Sequence, residues 1–326
     1  MTTTAPTATA PDPASSAPAG NAPTVSVLMA TYNFRPYLPE SVESILNQTF
    51  RDFEFVLIDD GSTDDSESLL REYAAKDARI RLIVRPNKGL TKSLNEGLGL
   101  CRGEFIARMD ADDVSLPQRL EKQVAYFREH PECVLLGSRV LRIDPYGSPL
   151  DESDHKLTHE EIDRQMLQDG LGFAITHPVA TFRRDAALKV GGYREQFTAS
   201  QDLDMWLRLA EVGKLANLPD VLLKYRSHLK SVRFTKLAEQ KRVKTAILTD
   251  AYNRRGLPLP SAFPEVKWMP PPPAEQMRRW ARAALKANNR SVAWRHAVGA
   301  LRHEPLAIAS WKLLARVCVG GVRESR

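Results

Sequence analysis

The chain has 326 residues, 43% of them hydrophobic and 26% charged, enough for one large or two ordinary soluble domains with a real core. Its three scattered cysteines, Cys101, Cys133 and Cys318, exclude a disulfide framework and a Cys-x-x-Cys metal site, and no apolar run reaches the ~18 residues that a spanning helix needs. The net charge of +6 is uneven: residues 235–326 hold 18 Lys and Arg against 6 Asp and Glu, a net +12, which leaves residues 1–234 at −6.

Residues 1–22 are nearly all Ala, Thr, Pro and Ser and read as a disordered tail. They lack the basic start and apolar stretch of a secretory signal, and the free cysteines suit a reducing compartment, so a cytoplasmic protein is expected. A first buried strand over residues 25–30 opens into a loop at Thr31, Tyr32 and Asn33. A helix is expected over 37–48, with Leu38, Val42, Ile45 and Leu46 at helical spacing. The strand over 53–58 runs into Asp59, Asp60, Gly61, Ser62, Thr63 and Asp64. A helix over 66–75, a strand over 80–84 and a helix over 91–100 follow.

The fourth strand starts at Phe105 and delivers Asp110, Asp112 and Asp113, three carboxylates within four positions. They cannot sit together ionised and desolvated without a counter-charge. Oxygen ligands clustered this way suit a hard divalent cation, Mg²⁺ or Mn²⁺; a solvated acidic turn is the other reading. Strand and helix alternate throughout, which predicts an α/β fold: a mostly parallel central sheet, flanking helices, and ligands bound at the carboxyl edge of the strands.

A helix over 117–129 comes next, then strands over 134–138 and 140–143, a polar loop over 144–161 and a helix over 162–168. Residues 177–182 read as a strand, 185–190 as a short helix closed by Gly191 and Gly192. A helix over 203–212 shows an apolar stripe at Leu203, Trp206, Leu207 and Ala210, with Trp206 as core, and a last strand over 222–226 runs to His228. The spacing thus predicts an α/β domain over 23–234 and a basic helical region over 235–326, with a Pro-rich linker around 258–273. Within that region, segments 275–288, 291–303 and 306–319 read as packed antiparallel helices with Trp280, Trp294 and Trp311 in their core. Its charge suits an anionic membrane surface as a peripheral contact; no nucleic-acid motif accompanies it.

Taken in order, five stretches resemble the family 2 glycosyltransferases, which have the A-type nucleotide-sugar-binding fold. They are residues 25–33, 56–64, 87–89, 107–113 and 200–207, and the likeness spans residues 23–232. The resemblance implies a nucleotide-diphospho-sugar donor, embraced by Thr31, Tyr32 and Asn33 and by the loop of Asn87 and Gly89, with Asp60 recognising the base. Arg85, Lys88 and Lys92 are the cations near the third strand that could neutralise diphosphate oxygens, or they are solvated surface charge. Asp110 and Asp112 match the family's Asp-x-Asp motif, so they and Asp113 would hold the metal that bridges the phosphates, with Asp110 also near the sugar.

Asp202 matches the family's catalytic base, although Gln201 stands where a Glu is usual. On its own, Asp202 reads better as an N-terminal cap or first-turn helix acid; only in this constellation does it read as the base. His177 and residues 225–228 match further family features: His228 could complete the metal shell or be structural, and Arg226 could pair with phosphate or with Asp204. The family implies inversion in one displacement, with a saccharide or a lipid-linked molecule as acceptor and cell-surface polysaccharide or glycoconjugate as product. A sugar nucleotidyltransferase would show a Gly- and Arg-rich loop after the first strand, where this chain has Thr31, Tyr32, Asn33, Phe34 and Arg35. A non-catalytic sugar-nucleotide-binding module could dispense with Asp202 and the acidic cluster, and both are present. Donor sugar, acceptor, linkage and oligomeric state are not written in the sequence.

Overall fold

Three strands, Val25–Thr31 (β1), Phe53–Asp59 (β2) and Phe105–Met109 (β4), are buried at every position, the mark of parallel strands covered by helices on both faces. The computed structural model describes residues 22–169, 172–229, 237–263 and 271–319. Along β1, Val25, Val27 and Met29 enter one core while Leu28 and Ala30 enter the other, as the two-residue period of a strand requires. Leu38–Leu46 (α1) and Arg119–Glu129 (α4) cover the first side with Leu38, Val42, Leu120, Val124 and Phe127. On the second side lie Leu94 and Leu98 of Leu90–Leu100 (α3), joined by Trp206 of Gln201–Leu209 (α7).

Ile80–Val84 (β3) completes the first half of the sheet, where β3, β2, β1 and β4 lie side by side and all pair in parallel. The chain moves outward from β1 to β3, then crosses back through α3 to place β4 on the other flank of β1. The strand order therefore reverses between β1 and β4, and the crevice beyond their carboxyl ends is where an open α/β sheet takes its ligand.

Beyond β4 the sheet becomes mixed. Thr181–Arg183 (β8) pairs antiparallel with β4 and with Cys133–Ile143 (β6); β6 pairs in parallel with Lys214–Arg226 (β9), and β9 carries the two-residue β5, Val114–Ser115. The strands expected over 134–138 and 140–143 are one strand, with a register shift against β9 at Ser138 and Arg139. β9 is longer than the expected 222–226; Pro219 and Asp220, which hide its first half from a sequence reading, lie in the bulge between the pairs formed by Leu218 and Val221. Pro149–Glu152 (β7) pairs only with β6, and its half-exposed edge explains why it reads as polar loop. Residues 177–182 are not one strand: His177–Val179 form a 3₁₀ turn before β8. The remaining helices before residue 229 are Ser66–Lys76 (α2), His159–Asp169 (α5) and Arg184–Lys189 (α6).

Leu237–Arg254 (α8) packs Val243, Ile247, Leu248 and Ala251 into the core beside Trp206, so packing does not break at residue 234. It breaks further on, where Pro273–Lys286 (α9), Arg290–His303 (α10) and Ile308–Val319 (α11) bury a separate core of Ala281, Ala284, Ala293, Ala297, Leu313 and Val317. Only one of the three expected core tryptophans is buried: Trp280 is 2% exposed, whereas Trp294 and Trp311 are 46% and 56% exposed. This unit docks on the turn between β6 and β7. The His296 ring is 2.7 Å from the fully buried Asp144 carboxylate, and Asn289 donates to Ser148 Oγ at 2.9 Å. The expected tail falls almost wholly outside the described residues, as does the middle of the Pro-rich linker. No helix among the described residues is long and apolar enough to cross a membrane.

Candidate active site

The carboxyl ends of β1, β2 and β4 form one rim. At the end of β4, Asp110, Asp112 and Asp113 bring carboxylate oxygens within 4.8 Å of one another. Asp110 pairs with the fully buried Arg108, two residues earlier on the same strand face. Asp113 is 1% exposed; its Oδ1 accepts the backbone N–H of Arg226 at 2.7 Å, and its buried Oδ2 has no hydrogen-bond partner among the described residues. Burial first, then Asp112 and Asp110, hold the Asp113 carboxyl well above its ordinary value, and burial likewise raises Asp110 against the pull of Arg108. An acidic cluster held this way lacks positive charge.

His228 closes the cluster from the end of β9. Its Nε2 lies 2.8 Å from Asp112 Oδ2, and its ring stacks on Tyr37 at 5.6 Å between centroids. Three carboxylates and an imidazole, with one orphaned buried oxygen among them, fit a divalent cation.

Arg226 is not placed to face a phosphate. It is 3% exposed, and its guanidinium donates to the Asp112 carbonyl at 2.7 Å, to the Pro145 carbonyl at 3.3 Å and to Glu40, while lying 5.0 Å over the Tyr37 ring. It braces the acidic loop from behind. Nor does Arg226 pair with Asp204: that buried carboxylate binds Arg194 and Arg208, and Arg194 reaches on to Asp250 of α8 at 2.6 Å. This network ties α7 to α8 and to the chain at Gly192, whose carbonyl accepts from Arg208 at 2.8 Å.

Asp202 stands at the first turn of α7, after Ser200 bends the chain with φ of 56°. Its Oδ1 accepts the Leu203 N–H at 2.9 Å, and burial raises the carboxyl above its ordinary value. Asp110 feels the charge of Asp202, although 92 positions of sequence separate them. Beside them Tyr193 bonds His177 Nε2 at 2.9 Å, and both are within the field of Arg108.

The ends of β1 and β2 carry the other expected contacts. Thr31 and Asp59 are register partners, and the buried Thr31 Oγ1 and Asp59 Oδ2 both lack a hydrogen-bond partner among the described residues. Tyr32 is 45% exposed at the rim. Asn33, at φ 59°, accepts the Thr63 N–H at 2.7 Å and so ties two rim loops together. The Asp60 carboxylate accepts the N–H groups of Lys88 and Gly89, both at 2.8 Å, and pairs with Arg85; it shapes the loop in which Asn87 is exposed. Gly61 lets that loop close in: at φ 78°, a Cβ there would lie 2.7 Å from the Asn87 nitrogen. Lys92 is exposed on the first turn of α3.

The glycosyl transferase family 2 profile matches residues 26–191, half of the chain. The chain belongs to glycosyl transferase family 2. An uncharacterized glycosyltransferase of Methanocaldococcus jannaschii is 38% identical over 222 residues, 67% of this chain and 75% of the relative. The O-antigen biosynthesis glycosyltransferase WbnJ of Escherichia coli is 36% identical over 218 residues, 66% of this chain and 84% of that enzyme. In fold, the transferase is similar to the mannosyltransferase PcManGT from Pyrobaculum calidifontis in complex with GDP-Man and Mn²⁺. The TM-score is 0.52 at 20% identity, over 95% of this chain and 82% of the other.

The family match covers the rims of β1, β2 and β4 but stops before Asp202, Arg226 and His228, which join the site through α7 and β9 of the transferase. Sequence reasoning misses Arg108, Glu40 and Tyr37. Arg108 has one signal, a lone charge inside an apolar strand; Glu40 and Tyr37 have none, because their roles arise from contact with a strand some 190 positions away.

Proposed function

We propose that the transferase is an inverting, cation-dependent enzyme that moves a hexose-type sugar from a nucleoside diphosphate to an acceptor hydroxyl. What supports this reading is the acidic cluster of Asp110, Asp112 and Asp113 at the rim where the strand order reverses, with Asp202 near enough for Asp110 to feel its charge. A base and an electron-poor anchor for the leaving group then face the same crevice. Thr31 and Asp59 suit the nucleoside, since both hold orphaned polar atoms at the ends of paired strands, and Asp60 shapes the loop beside them. Asn87, Lys88 and Lys92 are exposed beside them, for the diphosphate.

Asp110, Asp112, Asp113 and His228 would hold Mg²⁺ or Mn²⁺. When bound, such a cation supplies Lewis-acid stabilisation of the departing nucleoside diphosphate. Asp202 takes the proton of the acceptor hydroxyl as its oxygen attacks the anomeric carbon opposite the leaving diphosphate. One displacement inverts that carbon, and no second nucleophilic carboxylate is needed. Polysaccharide or glycoconjugate assembly is the context that the O-antigen relative favours, with a saccharide or lipid-linked acceptor supplied in the cytoplasm.

A panel of UDP-, GDP- and dTDP-sugars, each with and without Mn²⁺, tests the reading by thermal shift. One nucleotide class is expected to raise the melting temperature by several degrees with Mn²⁺ and by little without it, as a ligand well above its Kd stabilises by about 3 kcal/mol. No response to any donor would overturn the proposal.

A further inference from the structure

Among the described residues, eleven large hydrophobic side chains are exposed, and five of them crowd into residues 294–319: Trp294, Leu306 (93%), Ile308 (71%), Trp311 and Val319 (85%). The helix α11 shows why. Ser310, Leu313 and Val317 face inward onto α9 and α10, which satisfies one side. Ile308, Trp311 and Ala315 fall at i, i+3 and i+7 on the opposite side, in water. A helix that is apolar on two sides expects a cover on both.

The charges around this second stripe say what the cover is. Arg302, Lys312 and Arg316 are exposed beside it and have no ion-pair partner among the described residues. Residues 290–319 hold five cations against one acid, Glu304, which Arg278 holds at 2.8 Å. We propose that the outer face of α11, with its edging cations, docks the transferase on an anionic lipid surface. Leu306, Ile308, Trp311 and Val319 enter the headgroup boundary, where an indole is well suited, while the cations meet lipid phosphates. With 12 residues, α11 is too short to span and lies flat. A second copy of the chain is a poorer occupant. An isologous contact across this face would set the same cations against each other, with no acid nearby to pair them. This docking stands apart from the nucleotide-sugar reading, because it is measured without donor or acceptor.

The full-length protein, free of nucleotide, is mixed with phosphatidylcholine vesicles and with vesicles containing phosphatidylglycerol, then sedimented. The protein is expected to pellet with the anionic vesicles and stay in solution with the neutral ones. The double variant Ile308→Glu with Trp311→Glu is expected to partition about tenfold or more weakly, and Lys312→Glu with Arg316→Glu to lose the preference for anionic lipid. Because all four residues are exposed, and Trp311 gives up only the bond from its indole N–H to the Pro305 carbonyl, the melting temperatures should stay close to wild type, which separates lost docking from lost folding. Wild-type protein that remains in solution with anionic vesicles overturns the proposal, as does equal pelleting of the Ile308→Glu, Trp311→Glu variant. A dimer seen by light scattering that Trp311→Glu splits, without vesicle binding, assigns the face to a second copy instead.

Discussion

Asp202→Asn is expected to bind the donor as wild type does and to transfer sugar about a thousandfold more slowly, within the usual contribution of a positioned base. The Asn side chain keeps the shape and can still accept the Leu203 N–H, so the first turn of α7 keeps that bond. What it loses is the ability to take a proton. Burial holds the Asp202 carboxyl above its ordinary value. Wild-type transfer should therefore fall as pH drops through that raised value and the carboxylate becomes protonated, while the residual rate of the variant should show no such limb. Single-turnover transfer alongside a donor thermal shift measures both halves. Normal transfer by Asp202→Asn would leave Asp202 as a helix cap and nothing more.

Asp204→Ala, two positions on, is expected to do the opposite: little change in chemistry per folded molecule, but a stability loss of about 3–5 kcal/mol, the usual result of removing one partner from a buried ion pair. Asp204 is fully buried between Arg194 and Arg208, and Arg208 is only 7% exposed itself. Without the carboxylate, two guanidiniums are left close together with less charge to balance them, although the Val190 and Gly192 carbonyls still accept from Arg208. Urea unfolding of the variant beside Asp202→Asn checks this. A loss below about 1 kcal/mol would mean that the network is as weak as a surface salt bridge and does not set the position of α7.

The contrast between these neighbours shows what the sequence displays and what it hides. β1, β2 and β4 are readable because a strand covered on both faces needs an unbroken apolar run, and each run stops where its polar, mostly acidic end starts. That pairing of apolar run and acidic end is enough by itself to assign Asp60 and Asp110 to one rim. β7 and the first half of β9 are hidden because an edge strand and a bulge at Pro219 tolerate polar residues and proline. Arg226 is hidden for a different reason. Its motif position is plain, but whether a guanidinium faces ligand or protein depends on Glu40 and Pro145, which no local pattern connects to it. The same holds for the C-terminal tryptophans: helical spacing says that Trp280, Trp294 and Trp311 share a texture, and only packing says that one is inside and two are outside.

On the proposed reading, the carboxylates at the end of β4 grip a cation and the donor's diphosphate binds through it. Isothermal titration of the preferred nucleoside diphosphate, first in Mn²⁺, then in EDTA, then in Mn²⁺ with Asp112→Asn, tests this most directly. Asp112 is the position to vary because it joins His228 to the cluster without bracing the sheet. Tight binding is expected only for the wild type in Mn²⁺, with affinity at least about a hundredfold weaker in both other cases, as loss of a metal's charge from a phosphate site implies. Equal affinity in EDTA, or in Asp112→Asn, would contradict the cation's role.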